Sequence, residues 1–218
     1  IPIDGDISFK DLVYGEINTK CSEIDDFIIA RSDGSPTYNL TVVVDDNDMN
    51  ISHVIRGEDH ISNTPKQMLI YKALEWTIPK FGHLPMILGS DGKRLSKRHG
   101  AKGTSEYKDL GYLPDTLINY LALLGWNPGN DDEIFDFNYL KENFSLDKVN
   151  KKSAVFDNTK LEWVSSQNIF KISAAKLVDI ASEFDPTWCG EGHSSEYLVK
   201  VIELIKDRIK TLSNIKEN

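Results

Sequence analysis

The stretch GSDGKRLSKRHGA, residues 89–101, opens a run that places five basic side chains between Lys93 and Lys102. Gly89, Gly92 and Gly100 let the backbone bend and approach a ligand closely, and Ser96 can donate to phosphate oxygens. Such a loop suits a triphosphate, because lysines offset the charge that develops on the leaving group. The glycine-lysine pattern of a P-loop is absent. A solvated surface turn is the plain reading of any basic cluster. Position weighs against it here, since the run follows an apolar strand pattern at what would be the carboxyl edge of a parallel sheet.

Arg56, in VIRGEDH, is the second candidate. An arginine that ends a buried strand is costly unless paired. One reading is a structural ion pair with Glu58 or Asp59; the other is a fork that grips a substrate carboxylate, with the Tyr38 hydroxyl in the same pocket. The histidines His53, His60, His83, His99 and His193 lack the spacing of a metal motif, so no metal site is expected. His60 and His83 read as capping or core residues before they read as pocket lining. VVVDDND offers paired carboxylates, and a solvated helix or strand terminus explains them equally well; Trp76, Trp126, Trp163 and Trp188 read as core anchors.

These side chains need elements to hold them. Residues 1–31 alternate apolar and polar positions and, with an Asp33-Gly34 turn, suggest short antiparallel strands. TYNLTVVVDDND favours a strand by propensity, while a helix from Thr37 fits as well. NISHVIRG (50–57) reads as a buried strand, and NTPKQMLIYKALEW as a helix with Thr64 at the N-cap and Pro65 first inside. FGHLPMILG reads as one further strand, which completes a βαβ unit and a parallel sheet. From residue 101 onward the segments LPDTLINYLALLGW, DFNYLKENF, NTKLEWVSSQNIF, SAAKLVDIASEF and SEYLVKVIELIKDRIKTL read as amphipathic helices. Leu198, Val201, Ile202, Ile205, Ile209 and Leu212 form an apolar stripe on the last. The fold class is therefore α/β followed by all-α.

The chain has 218 residues, 40% of them apolar, enough to bury a real core. Its formal charge of −9 argues against nonspecific nucleic-acid binding over the whole surface and leaves room for a local basic groove. Cys21 and Cys189 form no CxxC pair, which fits a reducing compartment. No apolar run approaches the roughly 20 residues of a membrane span, and no signal or transit pattern opens the chain. Without an initiator Met, Ile1 reads as a cut edge and the chain as a fragment.

DGSPTYNLTVVVDDNDMNISHVIRGEDHISNTPKQ, GHLPMILGSDGKRLSKRHGA, GYLPDTLINYLALLGW and SAVFDNTKLEW together resemble bacterial-type glutamyl-tRNA synthetases, which are class I aminoacyl-tRNA synthetases. The resemblance runs from about residue 5 to residue 185. It implies ATP- and Mg²⁺-dependent activation of L-glutamate and its transfer to the 3′-terminal adenosine of tRNA. RLSKR (94–98) matches the loop usually written KMSKS, with Lys97 at the lysine that contacts ATP phosphates and Ser96 and Arg94 beside it. Arg94 stands where the pattern has a lysine, a planar fork in place of a compact ammonium. Tyr38 and Arg56 match the glutamate-binding tyrosine and arginine, and Glu58, His60 and Leu95 fall where the family lines its ATP pocket. Val42 stands where some members carry asparagine.

The resemblance further implies that residues 1–35 end a connective insertion and 36–100 form the second half of the nucleotide-binding domain. Residues 101–165 then contact the tRNA stem, and 166–218 begin the anticodon-binding helices. The HxGH half of the ATP site is not in the sequence, so the piece alone is expected to be inactive. A cytoplasmic monomer is the expected form. Two other classes fit fewer features: a non-catalytic RNA-binding or regulatory paralogue, and another ATP-using nucleotidyltransferase with the same loop.

Overall fold

The structure is a computed structural model that describes residues 4–96, 102–190 and 192–217. The chain forms two compact units, one of Ile1–Met86 with Ser145–Ser153, the other of Ile87–Phe144 with Ala154–Asn218. No helix among the described residues is long and apolar enough to cross a membrane.

In the first unit, β1 (Asp6–Asp11) and β2 (Gly15–Lys20) pair as an antiparallel hairpin, with Asp6 opposite Lys20 and Asp11 opposite Gly15. Alternation sends Ile7, Phe9 and Asp11 inward from β1. The expected Asp33-Gly34 turn is present, closed by an Ala30–Pro36 bridge and by Asp33 Oδ1 accepting from the Ser35 amide at 2.9 Å. TYNLTVVVDDND resolves as a helix, α1 (Tyr38–Asp48). Its β-branched run is tolerated because Val43 is fully buried against Ile70 and Tyr71, so packing overrides propensity.

β3 (His53–Gly57) and β4 (Lys80–Leu84) are parallel, with Arg56 in register with His83. A 3-10 turn over Glu58–Asn63 and α2 (Thr64–Ala73) connect them, which confirms the βαβ unit. Two expectations need correction. β3 is covered on one face only, with Ile55 half exposed. Asn63, not Thr64, precedes the helix, and Thr64 is fully buried because its hydroxyl is committed to Arg56, His83 and the His60 carbonyl. The core gathers Ile7, Phe9, Cys21, Met68 and Phe81.

FGHLPMILG is not one strand. β4 ends at Leu84, Pro85 follows, and Ile87–Leu88 is a separate strand, β5, paired in parallel with β6 (Ala154–Val155) of the second unit. Proline has no amide to continue a ladder. The first described part of the basic run is a tight hairpin: the Gly89 amide donates to Lys93 O at 2.8 Å, and Leu95 N to Ile87 O at 2.8 Å. Gly92, at φ +73°, supplies its turn.

The second unit continues as helices α3 (Thr104–Asp109), α4 (Pro114–Leu123), α5 (Phe137–Asn143), α6 (Asn158–Lys171), α7 (Ala174–Phe184) and α8 (Ser195–Ile205). Asp136, Asp157, Ser173 and Ser194 cap α5 to α8 with side-chain oxygens, as composition suggests. The last helix is shorter than its stripe. It stops at Ile205, and Ile209 and Leu212 reach the same core, with Leu177, Val178 and Ile202, through 3-10 turns. The chain must turn there, because Leu212 N donates to Gly111 O at 2.9 Å. Trp126 is a core residue, whereas Trp163 is 39% exposed under the Lys160 ammonium and anchors no core.

Candidate active site

Arg56 organises the polar centre of the first unit. Its register partner on β4 is His83, so both side chains leave the same face of the parallel pair. Arg56 Nε donates to His83 Nε2 at 3.2 Å, and Nη2 donates to Thr64 Oγ1 at 2.8 Å and to His60 O at 3.4 Å. The guanidinium lies 5.7 Å from the Phe81 ring centroid. Burial lowers the Arg56 pKa below its ordinary value, while the neighbouring Tyr38, Asp46 and Asp59 favour its charge. The partners of Nε and Nη2 are thus neutral groups rather than Glu58, and the Tyr38 hydroxyl supports the guanidinium charge through a side-chain hydrogen bond.

Tyr38 opens α1 and is half exposed, with its hydroxyl 3.1 Å from His60 Nδ1. Asn63 Nδ2 donates to the same nitrogen at 3.2 Å. Val42 and Asp46 follow Tyr38 at successive four-residue steps, which puts all three on one side of α1. Asp46 is accordingly half buried beside Arg56, while Asp45 is exposed. Burial raises the Asp46 pKa, and Arg56 pulls it back down. Burial also pushes the Tyr71 phenol up to about 12, helped by Asp46.

His83 is a core histidine and is fully buried, as is Asp11 beside it. Asp11 Oδ2 lies 2.6 Å from His83 Nδ1, and Asp11 Oδ1 accepts from the amides of Val13 (2.9 Å), Tyr14 (2.8 Å) and His83 (3.3 Å). Burial alone raises the Asp11 pKa, but the bonds from Tyr14, His83 and Val13 outweigh it and leave the pKa lowered. For His83 burial dominates and lowers the pKa, with Asp11 opposing and Arg56 and His60 reinforcing. Both carboxylate oxygens of Glu58 have protein partners: the Tyr14 hydroxyl donates to Oε2, and the Met86 amide to Oε1 at 2.9 Å. Burial and then Glu58 raise the Tyr14 phenol pKa.

The structure therefore brings together Tyr38, Arg56 and His60, with Glu58 on the same 3-10 turn as His60. Arg94, Leu95 and Ser96 belong to the second unit, and Lys97 lies outside the described residues. Asp11 and Thr64 are the residues that sequence reasoning missed. A signal for Asp11 exists: it is a carboxylate at an inward position of β1, in step with Ile7 and Phe9. No described group of three or more His, Cys, Asp or Glu side chains is arranged to hold a metal ion.

The family profile described as tRNA synthetases class I (E and Q), catalytic domain, matches residues 1–163. The glutamate–tRNA ligase of Nitrosospira multiformis is 46% identical over 220 residues, covering 98% of this chain and 46% of the relative. That of Dehalococcoides mccartyi is 47% identical over 221 residues, covering 100% of this chain and 45% of the relative. The crystal structure of a glutamate tRNA ligase from Elizabethkingia meningosepticum, solved in complex with its amino acid, superposes with a TM-score of 0.87 at 31% identity. That match covers 99% of this chain and 46% of the other. The chain thus spans about half the length of the relatives it matches. With its first 163 residues matched by the catalytic-domain profile and its polar centre built on the same stretch, the chain belongs to the class I tRNA synthetases for glutamate and glutamine.

Proposed function

We propose that the protein acts as a glutamate–tRNA ligase and that Arg56 and Tyr38 form its glutamate pocket. The observation that carries this reading is the state of Arg56. It is a half-buried arginine whose Nε and Nη2 donors are tied to His83, Thr64 and the His60 carbonyl. The guanidinium charge, with the Tyr38 hydroxyl beside it, suits a substrate carboxylate better than an amide. In this reading His60 and Glu58 take part in ATP binding, and so does Leu95. Lys97, with Ser96 and Arg94, neutralises the triphosphate. The Mg²⁺ arrives as part of the nucleotide substrate, held chiefly by phosphate oxygens.

The reaction balances as two transfers. The glutamate α-carboxylate attacks the α-phosphorus of ATP, and pyrophosphate leaves. A ribose hydroxyl at the tRNA 3′ end then takes the glutamyl group and releases AMP. The protein contributes orientation and charge neutralisation. In this reading the enzyme works on tRNA in the cytoplasm as a monomer.

The test is glutamate-dependent ATP–pyrophosphate exchange by the protein expressed from its complete reading frame. Arg56→Ala should raise the KM for glutamate by about 100-fold or more, the cost expected when one partner of a desolvated charge pair is removed. It should also narrow the preference for glutamate over glutamine. Lys97→Ala should instead lower the exchange rate. A wild-type protein that binds tRNA but supports no exchange would favour the RNA-binding paralogue.

A further inference from the structure

Arg56 has a long side chain with several rotatable bonds, and a fork that must meet a carboxylate edge-on needs its plane set in advance. Two buried residues are arranged to set it. The Arg56 Nε–H can only donate, so His83 Nε2, 3.2 Å away, must be the accepting nitrogen. The other ring nitrogen, Nδ1, then carries the proton and donates it to Asp11 Oδ2 at 2.6 Å. Asp11 cannot turn away, because its second oxygen already receives the amides of Val13, Tyr14 and His83. Those amides come from the β1–β2 turn and from β4, so the hairpin holds the carboxylate in one orientation.

We infer that Asp11 and His83 are positioning residues for glutamate recognition: Asp11 fixes the Nδ1–H tautomer of His83, and the Nε2 lone pair fixes the plane of the Arg56 fork. This rests on the reading of Arg56 as the carboxylate-binding residue. Thr64 Oγ1 is part of the same arrangement. It accepts from Arg56 Nη2 at 2.8 Å and lies 3.2 Å from His83 Nε2, so it links the two side chains a second time. A purely structural role is the alternative, in which the dyad only ties the hairpin to β4. The two differ in what Asp11→Asn does. The new amide keeps an oxygen for the Val13 and Tyr14 amides and turns an N–H toward His83 Nδ1. His83 must then move its proton to Nε2, where it meets the Arg56 Nε–H donor head on.

The experiment is made on the protein from its complete reading frame. The ring nitrogens of ¹⁵N-labelled His83 are assigned by NMR, and glutamate and ATP kinetics are measured for wild type, Asp11→Asn and Arg56→Ala. The expected result is an Nδ1–H tautomer in wild type and an Nε2–H tautomer in Asp11→Asn. The KM for glutamate should rise about tenfold to a hundredfold in Asp11→Asn, the cost of a small misplacement of a binding group, while the KM for ATP changes by less than about twofold. If Arg56→Ala raises the glutamate KM and a folded Asp11→Asn leaves it unchanged, the positioning role is overturned. An Nε2–H tautomer in wild type overturns it without any variant, so the inference stays testable if Asp11→Asn does not fold. If Arg56→Ala leaves the glutamate KM unchanged, the underlying reading of Arg56 fails, whatever Asp11 does.

Discussion

Tyr120 shows how much one buried hydroxyl can hold. It is 2% exposed, donates to the Asp157 carbonyl at 2.9 Å and accepts from the Asp157 amide at 2.7 Å. Burial raises its pKa to about 12, so it stays a neutral phenol that does both. Asp157 in turn caps α6, with its side chain accepting from Thr159 N at 2.8 Å. Tyr120→Phe strands both backbone groups and should cost about 1–3 kcal/mol, read as a lower urea midpoint at unchanged m value. At this scale the sequence is legible only where a residue breaks its own pattern. Asp11 does so on β1. Thr64 does not, because a threonine beside a helix start is ordinary, and its burial under Arg56 depends on a strand that begins eleven positions earlier.

Among the elements, the 3-10 turn over Leu212–Glu217, which follows α8, and the loop before α4 depend on each other. Gly111 sits at φ +80°, and a Cβ there would lie 2.7 Å from Ser213 N and 2.9 Å from Leu212 N. Gly111→Ala therefore combines an unfavourable backbone region with a collision against backbone that cannot step aside. A loss of about 2–4 kcal/mol, larger than the ordinary glycine-to-alanine effect, is expected in chemical denaturation. The same closure explains why the apolar stripe overstated α8. Periodicity correctly marked Ile202, Ile209 and Leu212 as core, and all three are buried, yet it does not report whether the backbone between them stays helical. The strand expected at 81–89 failed for a related reason: an apolar run is continuous in sequence, while Pro85 divides it into partners for two different strands.

For the whole molecule, acid should be destabilising, and the sign follows from the groups in the first unit. His83, faced by Asp11, Arg56 and His60, has its pKa lowered from 6.5, so below that value the unfolded chain binds a proton the folded chain refuses. That contribution is complete above pH 6.5 and is lost as pH falls through the folded value. Asp11, lowered from 3.8, adds a second loss that begins as pH drops below 3.8, while Asp46, raised from 3.8, works the other way between its raised value and 3.8. Melting temperature should therefore fall from pH 7.5 to pH 5, within about the range where histidine titrates. A flat profile over that interval would contradict a neutral buried His83. What the sequence by itself determined is local: the βαβ order, the capped helices of the second half, the glycine turns, and motifs specific enough to indicate a family. These depend on neighbours within a few residues, where periodicity and capping chemistry act. Only the tertiary structure decided that Asp11 meets His83 across 72 positions and Tyr120 meets Asp157 across 37. Such pairs are set by strand register and chain closure, since a buried polar group must find its partner wherever the fold brings one within about 3 Å.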